Sequence, residues 1–121
     1  MAKILVIDDE AAMRRTISRI LTGAGHRVIE AADGFVAVDE VNREKPDIVI
    51  VDILMPDRDG IETIQQIKKL QMDVGIIAIS GGGIVEPGFY LDLAEKFGAD
   101  NHLAKPFKSK ELIEAVESLC F

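Results

Sequence analysis

The sequence predicts a doubly wound α/β domain, a (βα)5 unit whose parallel sheet has the strand order 2-1-3-4-5. Three observations carry that expectation. Five short runs rich in β-branched residues alternate with longer stretches of helical spacing, and strands that alternate with helices form parallel sheets covered on both faces. Three of the five runs are almost wholly apolar, as strands buried on both faces must be. The chain has 121 residues, 48% of them apolar, which suits one domain around one core.

The elements follow in order. Ile4–Ile7 is the first strand run. Met13, Ile17, Ile20, Leu21 and Ala24 then recur at helical spacing, and Gly23 and Gly25 end that helix. The second strand run, Val28–Ile29, lies in "HRVIEA". Phe35, Val38 and Val41 make a shorter stripe, which Pro46 prevents from continuing. Ile48–Val51 is the third strand. Ile61, Ile64, Ile67 and Leu70 repeat every three residues in a helix expected to begin near Asp59. Ile76–Ile79 is the fourth strand, and Tyr90–Phe97, followed by Gly98, the fourth helix. The fifth strand is Asn101–Ala104. Leu112, Ile113, Val116, Leu119 and Cys120 form the stripe of the last helix, with Ser109 as its expected N-cap. The second and fifth runs are the more polar, which places them at the sheet edges. Right-handed crossovers then put strands 1, 3 and 4 in the middle. The connection "SGGGIVEPG", residues 80 to 88, is long for this architecture.

Composition narrows the function classes. The net charge of -7 argues against direct binding of nucleic acid or insertion at an anionic membrane, since those partners are negative too. No window reaches the roughly 18 apolar residues of a membrane span. The start, "MAKILVIDDE", is too short in its apolar run for a signal peptide and reads as a first strand. Cys120 is the single cysteine, so no internal disulfide forms; this fits a reducing, cytoplasmic setting. Its place on the last apolar stripe reads as a buried structural thiol.

The chemistry collects at the strand ends. The stretch "VIVDILMPDRDG", residues 49 to 60, ends a buried strand on a bare carboxylate, Asp52, and an unpaired buried charge is costly. The first strand ends at Asp8, Asp9 and Glu10, the fourth at Ser80, and the fifth runs into Lys105 and Pro106. All carboxyl ends of a parallel sheet point the same way, and the crevice between strands 1 and 3 is the expected site of such a fold. Three packed carboxylates either take up protons or hold a cation. Hard oxygen donors with no nearby histidine or cysteine suit Mg2+. A cation beside a free carboxylate can orient a phosphoryl group, with Ser80 donating to one of its oxygens and Lys105 neutralising another. Asp52 is then either a nucleophile, able to form an aspartyl phosphate, or a third ligand.

These residues resemble those of a bacterial response-regulator receiver domain of the chemotaxis-protein type, a flavodoxin-like fold. The matching features are "DD" after strand 1, "VDILMPDRDG" around Asp52, Ser80 after strand 4 and "KPF" after strand 5. The likeness covers the whole chain, and the expectation is one stand-alone receiver domain, residues 1–121, with no output domain. It implies that Asp52 is the phosphoacceptor. Mg2+ would be held by Asp9, Asp52 and the backbone carbonyl of Leu54, and by Asp8 through water. Ser80 is the hydroxyl that follows phosphorylation, Lys105 contacts the phosphoryl group, and Lys105–Pro106 is a candidate cis bond. Pro56 and Gly60 then shape the loop that turns the Leu54 carbonyl to the metal. The implied protein is a switch of a two-component system or phosphorelay, not a turnover enzyme. It would take its phosphoryl group from a phosphohistidine on a histidine kinase or phosphotransfer protein. Its output is a protein contact through the fourth helix, fifth strand and last helix, residues 89 to 120, or onward transfer along a relay.

The sequence departs from the family pattern in three places. His102 stands where the family has a switching aromatic; it is either a titratable switch residue or an edge-strand histidine without that role. Gly81–Gly83 precede an enlarged loop, which either changes conformation between states or is a tolerated surface insertion. Leu54 and Gly82 occupy the positions that tune self-dephosphorylation and offer nothing to orient a water, which implies a slow reaction. His26, Arg14, Arg15 and Arg19 read as solvated, the arginines alternatively as a partner patch, and Met13, Met55 and Met72 as filler. Two other classes compete. An aspartate-nucleophile phosphatase expects an acid where Leu54 stands. A flavin or nucleotide module expects a phosphate cradle where the first loop is acidic.

Overall fold

The computed structural model describes residues 1–53, 60–80, 92 and 94–120. Its strands are β1 (Lys3–Ile7), β2 (Arg27–Ala31), β3 (Ile48–Asp52), β4 (Gly75–Ser80) and β5 (Asn101–Ala104); its helices are α1 (Ala11–Gly23), α2 (Gly34–Glu44), α3 (Gly60–Lys69) and α4 (Ser109–Glu117). Asp92 and residues 94–96 are also helical, inside the stretch where the sequence predicts the fourth helix. The five strands form one parallel sheet in the order β2-β1-β3-β4-β5, as the polarity of the edge runs requires.

The pleat sorts the core into two layers. Along β1, Leu5 and Ile7 face one side and Ile4 and Val6 the other, and all four are buried. The first side packs with Ala37 and Val41 of α2 and Ile61, Ile64 and Ile67 of α3. The second packs with Ile17 and Leu21 of α1 and Leu112 and Val116 of α4. A one-residue slip of a central strand would move its side chains from one apolar layer to the other, so the fit of side chains within each layer, more than burial alone, sets the register.

Several local expectations need correction. In α2 the buried positions are Gly34, Ala37 and Val41, whereas Phe35 is 60% exposed. The helix starts at Gly34 with Asp33 as N-cap, its carboxylate accepting from the Phe35 and Val36 amides at 2.8 and 3.1 Å, and that start turns Phe35 off the core face. Ala24 is also exposed, because α1 has ended and Gly25 turns the chain at φ 94°. The N-cap of α4 is Lys108 rather than Ser109; the Glu111 side chain accepts from the Lys108 amide at 2.8 Å. Because α4 closes at Glu117, Cys120 falls beyond its buried stripe and is exposed. His26 is buried, not solvated: its Nδ1 accepts from the Ala2 amide at 3.0 Å and ties the chain start to the turn before β2.

At the amino ends of the strands, Asp47 accepts from the Lys3 amide and Asp100 from the Ile76 amide, each at 2.8 Å. Both carboxylates line a cavity of about 570 Å³ there, where they satisfy strand-starting donors. At the other end, the first residue of α3 lies directly on β3. A Cβ on Gly60 would sit 2.4 Å from the Asp52 carbonyl oxygen and 2.4 Å from the Ile53 Cα. Both are backbone atoms and cannot step aside. Gly60 is therefore the residue that lets α3 close against the end of β3. Gly60→Ala is expected to destabilise the fold by about 1–3 kcal/mol, the usual cost of overpacking, read as a lower urea midpoint at unchanged slope.

Candidate functional site

The sheet register assembles the site. The pairing of Ile7 with Val51 carries on past the strand ends and sets Asp8 beside Asp52. Asp8 continues the Ile4–Val6 face of β1, Asp52 the Ile48–Ile50 face of β3, and Lys105 follows Leu103, which packs on that same layer. Three side chains from three strand ends thus share one side of the sheet. The Lys105 amide donates to the Ser80 carbonyl at 2.7 Å, which holds the segment after β5 against the end of β4. The Lys105–Pro106 bond is cis, as the resemblance implies.

Within this cluster the Lys105 Nζ lies 3.2 Å from Asp8 Oδ2 and 3.2 Å from Asp52 Oδ2. Asp8 is 0% exposed and Asp52 4%, while Asp9 is exposed. Ligand atoms of Asp8, Asp9 and Asp52 all lie within 4.8 Å of one another. Burial by itself pulls the Lys105 ammonium towards losing its proton. The charges of Asp52 and Asp8, and the hydrogen bonds to them, outweigh burial and hold its pKa above the ordinary lysine value. Two buried carboxylates share this one ammonium, and a third, exposed one lies close to them. The residues fit a metal on that ground: they are hard oxygen donors, close enough to share one ion and under-neutralised without it.

Ser80 stands at the carboxyl end of β4, one residue past Ile79, the register partner of Asp52. It is 0% exposed, and its hydroxyl has no hydrogen-bond partner. Among the described residues this buried hydroxyl has no partner to replace its lost hydration. His102 pairs in register with Ala78, and so lies on the sheet face that Ser80 shares. Its Nδ1 contacts Glu95 Oε2, and its side chain is 40% exposed. Leu54, with the proposed ligand carbonyl, lies outside the described residues, as do Met55, Pro56, Asp59, Gly82 and the rest of the Gly81–Gly83 loop.

Sequence reasoning gave Gly60 a role in shaping the loop before α3, and the structure adds that α3 approaches β3 too closely there for any Cβ. Arg14 was missed as a neighbour of the site. Expected on a solvated face, it instead donates from Nη1 to the Asp8 carbonyl at 2.6 Å and pairs through Nε with Glu30 at 3.3 Å. Its place one turn into α1, within reach of the strand end it follows, is the signal that would have found it. Arg15 and Arg19 are exposed as expected.

Known proteins share much of the sequence and the fold. The response regulator receiver domain family matches residues 4–117. The chain is 39% identical over 117 residues to the probable transcriptional regulator ycf27 of Porphyridium aerugineum, covering 97% of this chain but 47% of that protein, about half its length. It is 36% identical over 118 residues to the chemotaxis protein CheY of Thermotoga maritima, covering 97% and 96% of the two chains. A crystal structure of a response regulator receiver domain protein from Clostridium thermocellum superposes with a TM-score of 0.89 at 30% identity, covering 98% of this chain and 94% of that one. With the family profile spanning nearly all of the sequence, and the acidic strand ends gathered where the sheet directs them, the chain belongs to the response regulator receiver domains, the phospho-accepting switches of two-component signalling.

Proposed function

We propose that Asp52 is the phosphoacceptor of this receiver, and that its carboxylate takes a phosphoryl group from a phosphohistidine on a histidine kinase or phosphotransfer protein. The observation that carries this reading is the Lys105 ammonium held at 3.2 Å from both Asp8 and Asp52 beside the three clustered carboxylates. In the transfer an Asp52 oxygen forms a bond to phosphorus while the donor nitrogen leaves with its electron pair. Little covalent work falls to the protein; positioning and charge stabilisation carry the step. Lys105 fixes the Asp52 carboxylate in advance and faces the incoming phosphoryl oxygens as a point charge. The unpartnered Ser80 hydroxyl donates to another of them.

Asp9, Asp52 and the backbone carbonyl of Leu54 are the proposed ligands of Mg2+, with Asp8 acting through water. Bound there, the ion neutralises charge on the phosphoryl oxygens and orients them. The domain works as a switch, without turnover of a free substrate, and its output is a protein contact on the face containing β5 and α4. The His102–Glu95 pair lies on the same edge of the sheet.

Incubation with a small phosphodonor and Mg2+ is expected to add the mass of one phosphoryl group, read by intact mass spectrometry. Asp52→Asn and an excess of chelator should each abolish the addition. An Asp52→Asn chain that still gains the mass would overturn the assignment. A second expectation concerns Lys105. Because its folded pKa is raised, its contribution to stability is fully present below the unfolded lysine value of about 10.4 and fades as pH rises through the higher folded value. In Mg2+-free buffer, Lys105→Met should lower the urea midpoint by an amount that stays flat through neutral pH. The gap should close only above about pH 10.4. A gap that closes near neutrality would contradict the pairing.

A further inference from the structure

Asp8 and Asp9 belong to a turn that leaves the sheet. β1 ends at Ile7 and α1 begins at Ala11. The Asp8 amide still donates to the Ala31 carbonyl of β2, at 3.2 Å. The Asp8 carbonyl instead accepts from Arg14 Nη1 at 2.6 Å, in the first turn of α1. The guanidinium is itself held: its Nε lies 3.3 Å from Glu30 Oε1 on β2, and Glu30 Oε2 accepts from Ser18 Oγ at 3.3 Å. The Arg14 side chain is only 18% exposed, so this is a covered contact rather than a loose surface pair.

The covalent geometry makes that contact matter. The Asp8 carbonyl and the Asp9 amide belong to one rigid peptide plane. Fixing the carbonyl orients that plane and so constrains the backbone from which the Asp8 and Asp9 side chains leave. On the other side of the turn, the Asp8 carboxylate accepts from the Glu10 amide at 2.9 Å. Arg14 and Glu10 thus brace the same turn from opposite ends.

We infer that Arg14 is a positioning residue of the cation site, oriented by Glu30 and acting on Asp8 and Asp9 through the peptide between them. This rests on the reading of Asp8, Asp9 and Asp52 as the Mg2+ site. It goes beyond that reading in assigning a second layer, Arg14, Glu30 and Ser18, that sets how well the site is formed before the ion arrives. Groups that orient metal ligands from behind commonly alter affinity by an order of magnitude or more.

The inference has a sign that separates it from the bland alternative. A guanidinium acting only through its charge repels a second cation, so its removal would tighten Mg2+ binding. A guanidinium that orients the ligands has the opposite effect. The test is calorimetric titration of the whole chain with MgCl2, with the urea midpoint of each variant measured alongside. Arg14→Met is expected to weaken Mg2+ binding about tenfold. Arg14→Lys, which keeps the charge and one donor but loses the fork that reaches Asp8 and Glu30 together, should recover part of the loss. Glu30→Ala, on the edge strand, should weaken binding in the same direction by less. Equal or tighter binding in Arg14→Met, or a lysine variant no better than the methionine one, overturns the positioning role. Should Arg14→Met fail to fold, Arg14→Lys decides, and binding there equal to that of the unaltered chain overturns it. A wild-type chain that binds no Mg2+ overturns the cation site and the positioning role together, whereas loss of the role alone leaves wild-type binding intact.

Discussion

The ammonium of Lys105 lies between two carboxylates that the sheet has all but removed from water. Without a cation in that position, Asp8 and Asp52 would each be a buried, repelled charge, and the end of a five-stranded sheet would be a poor place for either. With it, the strand ends hold a preformed arrangement of one ammonium and two carboxylates, open on the side where Asp9 is exposed. Much of the rest of the molecule serves that arrangement. The central strands are apolar on both faces and packed into a layer on each side of the sheet. The Lys105 amide is hydrogen-bonded to the end of β4. Gly60 lets α3 lie on the carbonyl of Asp52 itself.

The same arrangement explains why a signalling domain can tolerate an unfavourable charge cluster. A phospho-accepting carboxylate must be held rigidly and kept ionised, yet remain ready to change partners when a phosphoryl group arrives. Lysine meets the first need in the unmodified protein and the second by exchanging one anionic partner for another, since its ammonium is a compact point charge with three donors. In the proposed reading the Ser80 hydroxyl, which has no hydrogen-bond partner among the described residues, becomes a donor to the phosphoryl group. Ser80 and His102 lie on one face of the sheet, and His102 contacts Glu95 of the helical segment before β5.

How far the sequence disclosed this depends on which force ruled each position. Burial on two faces writes itself as unbroken β-branched runs, so β1, β3 and β4 were legible to within a residue or so, and the polar edge runs gave the order. The acidic cluster was legible because a parallel sheet collects its carboxyl ends, which brings Asp8, Asp9, Asp52 and Lys105 together. What stayed hidden was set by contacts that leave no periodic trace. His26 reads as a polar strand start, yet one hydrogen bond to the Ala2 amide buries it. Phe35 was counted with the core, but the Asp33 cap sets the phase of α2 and turns it outward. Cys120 continues an apolar stripe whose helix has already ended. Arg14 shares its neighbourhood with two exposed arginines and differs from them in reaching the Asp8 carbonyl and Glu30.

The most direct measurement is a crystal structure of the chain with Mg2+ and beryllofluoride, a stable stand-in for the phosphoryl group. Beryllofluoride is expected on an Asp52 oxygen, with Ser80 Oγ and Lys105 Nζ on its fluorines. Asp9 and Asp52 would hold the ion through their carboxylate oxygens. An ion bound away from these carboxylates, or beryllofluoride on any other side chain, would contradict the proposed site.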